Sequence, residues 1–147
     1  MPERKLLAIM FTDVVGFSTS MSNDERVGIE ILQKNRSILK PAVEKYHGVF
    51  LKEIGDGTLS SFPSAIEAVL CALEIQEALK SETGFSIRIG IHLGDVIIDS
   101  NDVFEDGVNI ASRIESQARP GCVCVSRQVY DQIRNKSFIS EESLGEK

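Results

Sequence analysis

No stretch of this sequence is apolar for anything near the ~18 residues that a membrane-spanning helix needs. The opening MPERKLLAIMFTD runs into an apolar segment without the cleavage pattern of a secretory signal. A cytoplasmic domain with no membrane contact of its own is therefore expected. Positive charge is also in short supply, with 16 Lys and Arg against 22 Asp and Glu, a formal charge of −6. That excludes a broad nucleic-acid surface, which needs a basic stripe to displace counterions. Cysteine is scarce: Cys71, Cys122 and Cys124 make neither an even disulfide set nor a C-x-x-C metal pair. Packed, reduced thiols are expected for all three. Repeats, linkers and low-complexity tracts are missing too, so the chain reads as one domain over residues 1–147. Its ending, SFISEESLGEK, is polar and supplies no closing element, which reads as truncation at the C-terminal end and leaves room for regulatory domains in a parent chain.

What is present is the 42% hydrophobic and 26% charged composition of an ordinary globular protein. Residues 6–12 read as a buried strand, 22–47 as a helix and 49–54 as a second strand. The run Ser22 to Glu25 has capping-box spacing, and Val27, Ile31, Ile38 and Leu39 supply the apolar stripe that follows. Pro41 is expected to kink or break that helix. Segments 49–54 and 58–62 form a hairpin around Gly55, Asp56 and Gly57. Ser64 to Glu67 opens another helix, with Ile66, Val69, Leu70, Leu73 and Leu79 inward and Gly84 at its end.

Residues 85–91 alternate in strand fashion, with 96–98 as the partner strand across a turn at Gly94 and Asp95. A helix over 106–118 carries Val108, Ala111, Ile114 and Ala118 and stops at Pro120 and Gly121. Residues 122–125 return as a strand, with a short helix from Ser126. The order βαββαβ followed by βαβα predicts an α/β (α+β) fold, a ferredoxin-like core with a C-terminal extension and a mixed sheet flanked by helices.

Two carboxylates stand out in that layout. Asp13 follows the first strand and Asp56 the second, and a crossover helix makes those strands run the same way, so both ends emerge at one sheet edge. Each aspartate alone is an ordinary turn residue. Together they repel unless a cation lies between them, and hard oxygen ligands suit Mg²⁺ or Mn²⁺. Gly16 and Gly55 allow close backbone approach beside them. A third cluster, Asn109 and Arg113, is four residues apart on one helix face and offers an amide and a guanidinium fork to a phosphate. A solvated surface stripe is the plainer reading of that pair. His47 and His92 read as structural, and Ser18 and Ser112 have no neighbouring base for nucleophilic chemistry.

FTDVVGFS, KEIGDG and DGVNIASRIES, in this order and with GFSIRIGIHLGDV and SFPSAIEAVLCALEIQ between them, resemble the class III nucleotide (adenylate/guanylate) cyclase catalytic domain from about residue 5 to about residue 145. The resemblance implies that Asp13 and Asp56 hold two divalent ions, Mg²⁺ or Mn²⁺, with the backbone of Val14 adding a carbonyl ligand. It implies that Gly16, Phe17 and Ser18 present N–H groups to a triphosphate. Lys52 and Asp102 fall where the family reads the purine. Adenine's N1 acceptor and N6 donor match an ammonium and a carboxylate, so this pair implies ATP over GTP. Lys52 otherwise reads as an edge-strand lysine and Asp102 as a turn residue. Glu105 stands where relatives commonly have glycine, which lets Asp106 compete with Asp102 for the base. Asn109 and Arg113 would position the ribose and stabilise charge growing on the α-phosphate.

The implied activity is that of an adenylate cyclase, converting ATP to 3′,5′-cyclic AMP and pyrophosphate by two-metal-ion catalysis. The implied partner is a second copy of the chain in a head-to-tail homodimer, because the metal half and the purine half of each site come from opposite subunits. Two alternatives stand beside it. One is a guanylate cyclase. The other is an inactive nucleotide-binding or dimerisation module, motivated by Glu105 and by the missing last hairpin with its phosphate-contacting lysine. The diguanylate cyclase family shares the core fold but expects a Gly-Gly-acidic-acidic-Phe turn that this sequence lacks.

Overall fold

The computed structural model describes residues 3–16, 24–80, 85–99, 102–104 and 106–135, with the backbone alone described for residues 3, 98, 99, 102–104, 106 and 107. Its organising element is β1 (Glu3–Val14), which is apolar on both faces and therefore has to be covered on both. Ala8, Met10 and Val14 enter one core and Ile9 enters another on the opposite face. The chain continues through α1 (Glu25–Lys45), β2 (Val49–Ile54), β3 (Gly57–Phe62), α2 (Ala65–Lys80), β4 (Ile87–Asp99), β5 (Asp102–Phe104), α3 (Asp106–Glu115), β6 (Val123–Val125) and α4 (Arg127–Ile133).

The sheet runs β2-β3-β1-β4-β5, with β6 beside β4. Every pairing is antiparallel except that of β4 with β6. This is the expected βαββαβ core with its extension. Because β3 is antiparallel to both β1 and β2, those two strands run the same way and finish at one edge, although β3 separates them. The larger core packs Leu39, Val43, Ala68, Ile75, Phe62 and the inward row Ile87, Ile89 and Ile91 beneath α1, α2 and α4. On the other face, Ile9, Leu59 and Val96 pack with Ala111 of α3. Among the described residues no helix is long and apolar enough to cross a membrane.

Several local expectations give way to tertiary context. The turn expected at Gly94 and Asp95 is absent, and β4 continues through both residues, paired with Leu7 and Leu6 of β1. A twelve-residue ladder outweighs one local turn signal. Pro41 lies inside α1 without ending it. Its exposed ring and missing N–H are tolerated because Leu39, Ala42 and Val43 on either side are buried. The N-cap of α1 is Asp24, which accepts from the Arg26 N–H at 2.9 Å, and Ser22 lies outside the described residues. Val27 and Leu73 were expected inward, yet they are exposed. The third long helix stops at Glu115, short of Ala118.

Other details stand as read. Ser64 accepts the N–H of Glu67 and Ser126 caps α4. Gly84, the expected end of α2, lies outside the described residues. Cys71 is buried, and burial pushes its thiol up to about 12. Cys122 was expected to be packed and is exposed, because it precedes β6 instead of joining it.

Candidate active site

Asp13 is the second-last residue of β1, and Asp56 occupies the tight turn between β2 and β3. Since β3 is the neighbour of β1, that turn is carried to the C-terminal end of β1. There the Val14 N–H donates to Asp56 Oδ2 at 3.3 Å. Two glycines make this possible for different reasons. Gly55 has φ of 62°, a left-handed conformation that disfavours any side chain. Gly57 lies so close to β1 that a Cβ there would sit 2.6 Å from the Thr12 carbonyl oxygen. Gly16, at φ of 71°, turns the chain after β1. Phe17 and Ser18 lie outside the described residues.

Lys52 reaches the same face through an irregularity in the ladder. Phe50 pairs with Ser60, but Lys52, not Leu51, pairs with Leu59. A β-bulge at Leu51 therefore re-aims the strand by one residue. Residues opposite each other in a ladder share a face, so Lys52 lines up with Leu59 and Phe11. Phe11 is two residues from Asp13, so the aspartate is on that face as well. Glu53 is thereby turned to the other face, where Arg36 of α1 pairs with it at 2.8 Å.

α3 crosses this same face, packed on β4 and β1. Ala111 is buried against the sheet, and Asn109 and Arg113 are exposed. Asp102 pairs with Asp99 at the start of β5, and Asp106 opens α3. Only their backbones are described, and Glu105 lies outside the described residues.

Two residues escaped the sequence reading. Glu115 is 2% exposed, and its carboxyl interacts with that of Asp13 closely enough for each to shift the other's pKa. The available signal was its place in α3: four after Ala111 and seven after Val108, it falls on the buried stripe, where a carboxylate is out of character. Arg88 is the second, directly opposite Asp13 on β4, with its Nε donating to the Ala118 carbonyl at 3.0 Å.

Burial raises the Asp13 carboxyl first of all, the interaction with Glu115 lowers it, Asp56 raises it and Arg88 lowers it. Burial likewise pushes Glu115 up to about 8, with Asp13 adding to it and Arg88 opposing. Asp13 Oδ1 and Glu115 Oε2 are buried without any donor. Three carboxyls against the Arg88 guanidinium and the Lys52 ammonium, with two donorless oxygens, leave this face short of positive charge, and a divalent cation fits it. Among the described residues no three His, Cys, Asp or Glu side chains form a cation cage. Two carboxylates plus waters and substrate phosphates are the manner in which Mg²⁺ is usually held.

His92 lies on this face too, opposite Ile9 and 7% exposed, with its Nδ1 unpartnered. Burial depresses its pKa, so it is held neutral, in keeping with a structural role.

Residues 1–146 match the family described as the adenylate and guanylate cyclase catalytic domain. The chain belongs to this family. A cyclase domain from Silicibacter pomeroyi, described as an adenylate/guanylate cyclase/hydrolase, superposes with a TM-score of 0.90 at 33% identity, covering 99% of this chain and 89% of that one. The catalytic core of a rhodopsin-guanylyl cyclase with converted specificity, in complex with ATPαS, gives a TM-score of 0.86 at 25% identity, covering 92% and 86%. A Streptomyces coelicolor adenylate cyclase is 32% identical over 93% of this cyclase domain, which spans 37% of that protein. Receptor-type guanylate cyclases of Caenorhabditis elegans match as well. The curated bacterial relatives are thus much longer than this chain, which spans 24% of one from Rhizobium meliloti.

Proposed function

We propose that this domain is an adenylate cyclase that converts ATP to 3′,5′-cyclic AMP and pyrophosphate in a head-to-tail homodimer. The observation that carries the reading is the convergence of Asp13 and Asp56 at the end of β1, with a donorless Asp13 oxygen buried there; Lys52, on the same sheet face, would serve the other site of the pair. Asp13 and Asp56 would hold two Mg²⁺ or Mn²⁺ ions, which supply Lewis acidity to the ribose 3′-hydroxyl and the triphosphate. The Val14 backbone is beside them, its N–H already engaged in holding Asp56. Gly16, in the turn after β1, and the two residues that follow it in sequence, Phe17 and Ser18, would offer backbone N–H groups to phosphate oxygens.

Lys52 would donate to adenine N1 while Asp102 accepts from N6, leaving GTP mispaired. Asn109 and Arg113 would orient the ribose and meet the charge that grows on the α-phosphate as the 3′-oxygen displaces pyrophosphate in line. Both are exposed on their own chain, which fits delivery to a site completed by a second copy. The negative global charge leaves Arg88, Arg113, Lys52 and the ions as the counter-charge for ATP.

A guanylate cyclase is the second reading, favoured by the relatives of that name. Purified protein supplied with Mn²⁺ and either ATP or GTP separates the two by the cyclic nucleotide formed. Asp56→Ala should abolish product and pyrophosphate release together. Binding of ATP without turnover in the full parent protein would overturn the enzymatic reading and leave a nucleotide-binding module.

A further inference from the structure

Between Phe50 and the turn, β2 carries one residue more than β3 can pair, and that residue has two places to go. In the structure it is Leu51, since Phe50 pairs with Ser60 and Lys52 with Leu59. The strand could instead run straight past Leu51 and take up the excess in the turn at Gly55 and Asp56. Leu51 would then oppose Leu59, Lys52 would oppose Thr58 and Glu53 would oppose Gly57. A shift of one residue exchanges the two faces of a strand, so Lys52 would turn from the site toward α1 and Glu53 would take its place. β2 is the outermost strand, laddered to β3 alone among the described residues, and the ladder by itself does little to choose.

The contacts with α1 favour one register. Arg36 donates to Glu53 Oε1 through Nε at 3.0 Å, and its Nη2 lies 2.8 Å from the same oxygen. Lys40, one turn further along the same helix face, has its Nζ 5.5 Å from the centroid of the Phe50 ring. Phe50 and Glu53 are three residues apart and would lie on opposite faces of a regular strand. Here both meet α1, so the two cations straddle the bulge. Leu51 packs on the other side, against the smaller core around Ile9 and Leu59. In the slipped register Arg36 would meet the Lys52 ammonium in place of the Glu53 carboxylate, and like charges repel.

We propose that Arg36 is a positioning residue for Lys52: by holding Glu53 and repelling Lys52, it keeps the excess residue at Leu51 and Lys52 on the face where the base would be read. The inference rests on the reading of Lys52 as a contact to the purine. Arg36 itself touches no substrate and acts through strand register alone.

The test is amide hydrogen exchange of the nucleotide-free protein, read by NMR at the amides that join β2 to β3, with equilibrium binding of ATP and GTP in Mn²⁺ beside it. Positions 36 and 52 are both exposed, so the variants should fold. Arg36→Ala should speed exchange of these amides about two- to fivefold, the weight of an exposed ion pair. Arg36→Glu should speed it about tenfold or more, because the new carboxylate repels Glu53 and draws Lys52 toward α1. It should also narrow the preference for ATP over GTP, where a general loosening would weaken both nucleotides alike. The deciding measurement is Arg36→Glu in a Lys52→Ala background. The two side chains are on opposite sides of the sheet and couple through the slipped register, so the acceleration there should be smaller by about twofold or more.

Exchange at the parent rate in both Arg36 variants overturns the proposal, and so does an Arg36→Glu effect of equal size with and without Lys52. An ATP preference that Lys52→Ala narrows and Arg36→Glu leaves intact overturns it too. If Lys52→Ala itself keeps the full preference for ATP, the purine reading of Lys52 falls, and the exchange data alone decide whether Arg36 sets the register.

Discussion

The two glycines that flank Asp56 should both lose stability on substitution by alanine but differ in activity, and the difference isolates what holds the aspartate in place. At Gly57 the obstacle is steric: the new Cβ would be 2.6 Å from the Thr12 carbonyl oxygen, 3.3 Å from that of Ile54 and 3.4 Å from the Phe11 ring. Carbon–oxygen contacts between strands lie near 3.3–3.6 Å, so about 0.7 Å of movement or more is required. β1 cannot supply it. Thr12 is fully buried, its hydroxyl is bonded to that of Thr58 at 2.6 Å, and Ile9, Met10 and Ala8 are fully enclosed.

The turn must therefore move, and Asp56 moves with it. The Val14 N–H contact is already 3.3 Å long and does not survive that shift. Gly57→Ala should cost about 1–3 kcal/mol of stability as an overpacked site. Displacement of a ligand by most of an ångström should lower the rate of cyclic nucleotide formation about 10²-fold. At Gly55 nothing lies within 4 Å of the added Cβ, and the only obstacle is φ of 62°. Gly55→Ala should lose about 1–2 kcal/mol by left-handed strain and keep most of its activity. Urea midpoints and initial rates with saturating Mn²⁺ and ATP give both numbers. A Gly57→Ala enzyme that is destabilised yet fully active would refute the argument that close docking of this turn on β1 places Asp56.

Three further outcomes are expected. Lys52→Ala should leave the unfolding midpoint within about 0.5 kcal/mol, since the side chain is exposed, and should reduce discrimination of ATP over GTP in paired kcat/KM measurements. Cys71 should resist iodoacetamide at pH 8, because burial pushes its thiol to about 12 and leaves about one thiolate in 10⁴. Exposed Cys122 should label at once, as mass spectrometry of the intact and digested protein would show. Burial lowers the His92 pKa, so below its unfolded value of about 6.5 the unfolded chain binds more protons than the folded one. Stability tied to His92 is intact above that pH and is lost as pH falls from it toward the depressed folded value. His92→Gln should shrink the drop in urea midpoint between pH 7.5 and pH 5.5.

The elements legible in the sequence were those with an uninterrupted period. The strand at 6–12, the hairpin around Asp56 and the helix opened by Ser64 all appear with bounds close to those expected. Failures came where a local signal met a long-range partner. Gly94 and Asp95 form a good turn in isolation, yet β1 is twelve residues long and offers each of them a place in its ladder. Asp56 was correctly set near the end of β1, but the agent is β3, which a strand-helix-strand argument does not mention. The bulge that turns Lys52 onto the site face has no residue signature in VFLKEI, since it exists only in the register with β3. Glu115 was legible in part, because an acidic residue on an apolar helical stripe always needs a partner. Which partner it has depends on Gly90, and that contact joins residues far apart in the chain.

The division between buried and exposed groups carries the last step. Asp13 and Glu115 are fixed within the chain's own packing, by β1, β4 and the last turn of α3. Lys52, Asn109 and Arg113 are exposed, and among the described residues no element encloses a nucleotide between them and the carboxylates. A polar site that binds ATP needs walls that exclude water, because electrostatic stabilisation of the kind asked of Arg113 weakens steeply in solvent. The described residues leave the face open beside α3, and a second copy would close it while bringing its own exposed residues to bear. The rate should therefore rise more steeply than linearly with enzyme concentration wherever the dimer is only partly formed. Strict proportionality down to concentrations at which sedimentation shows only monomer would mean that one chain encloses the nucleotide unaided.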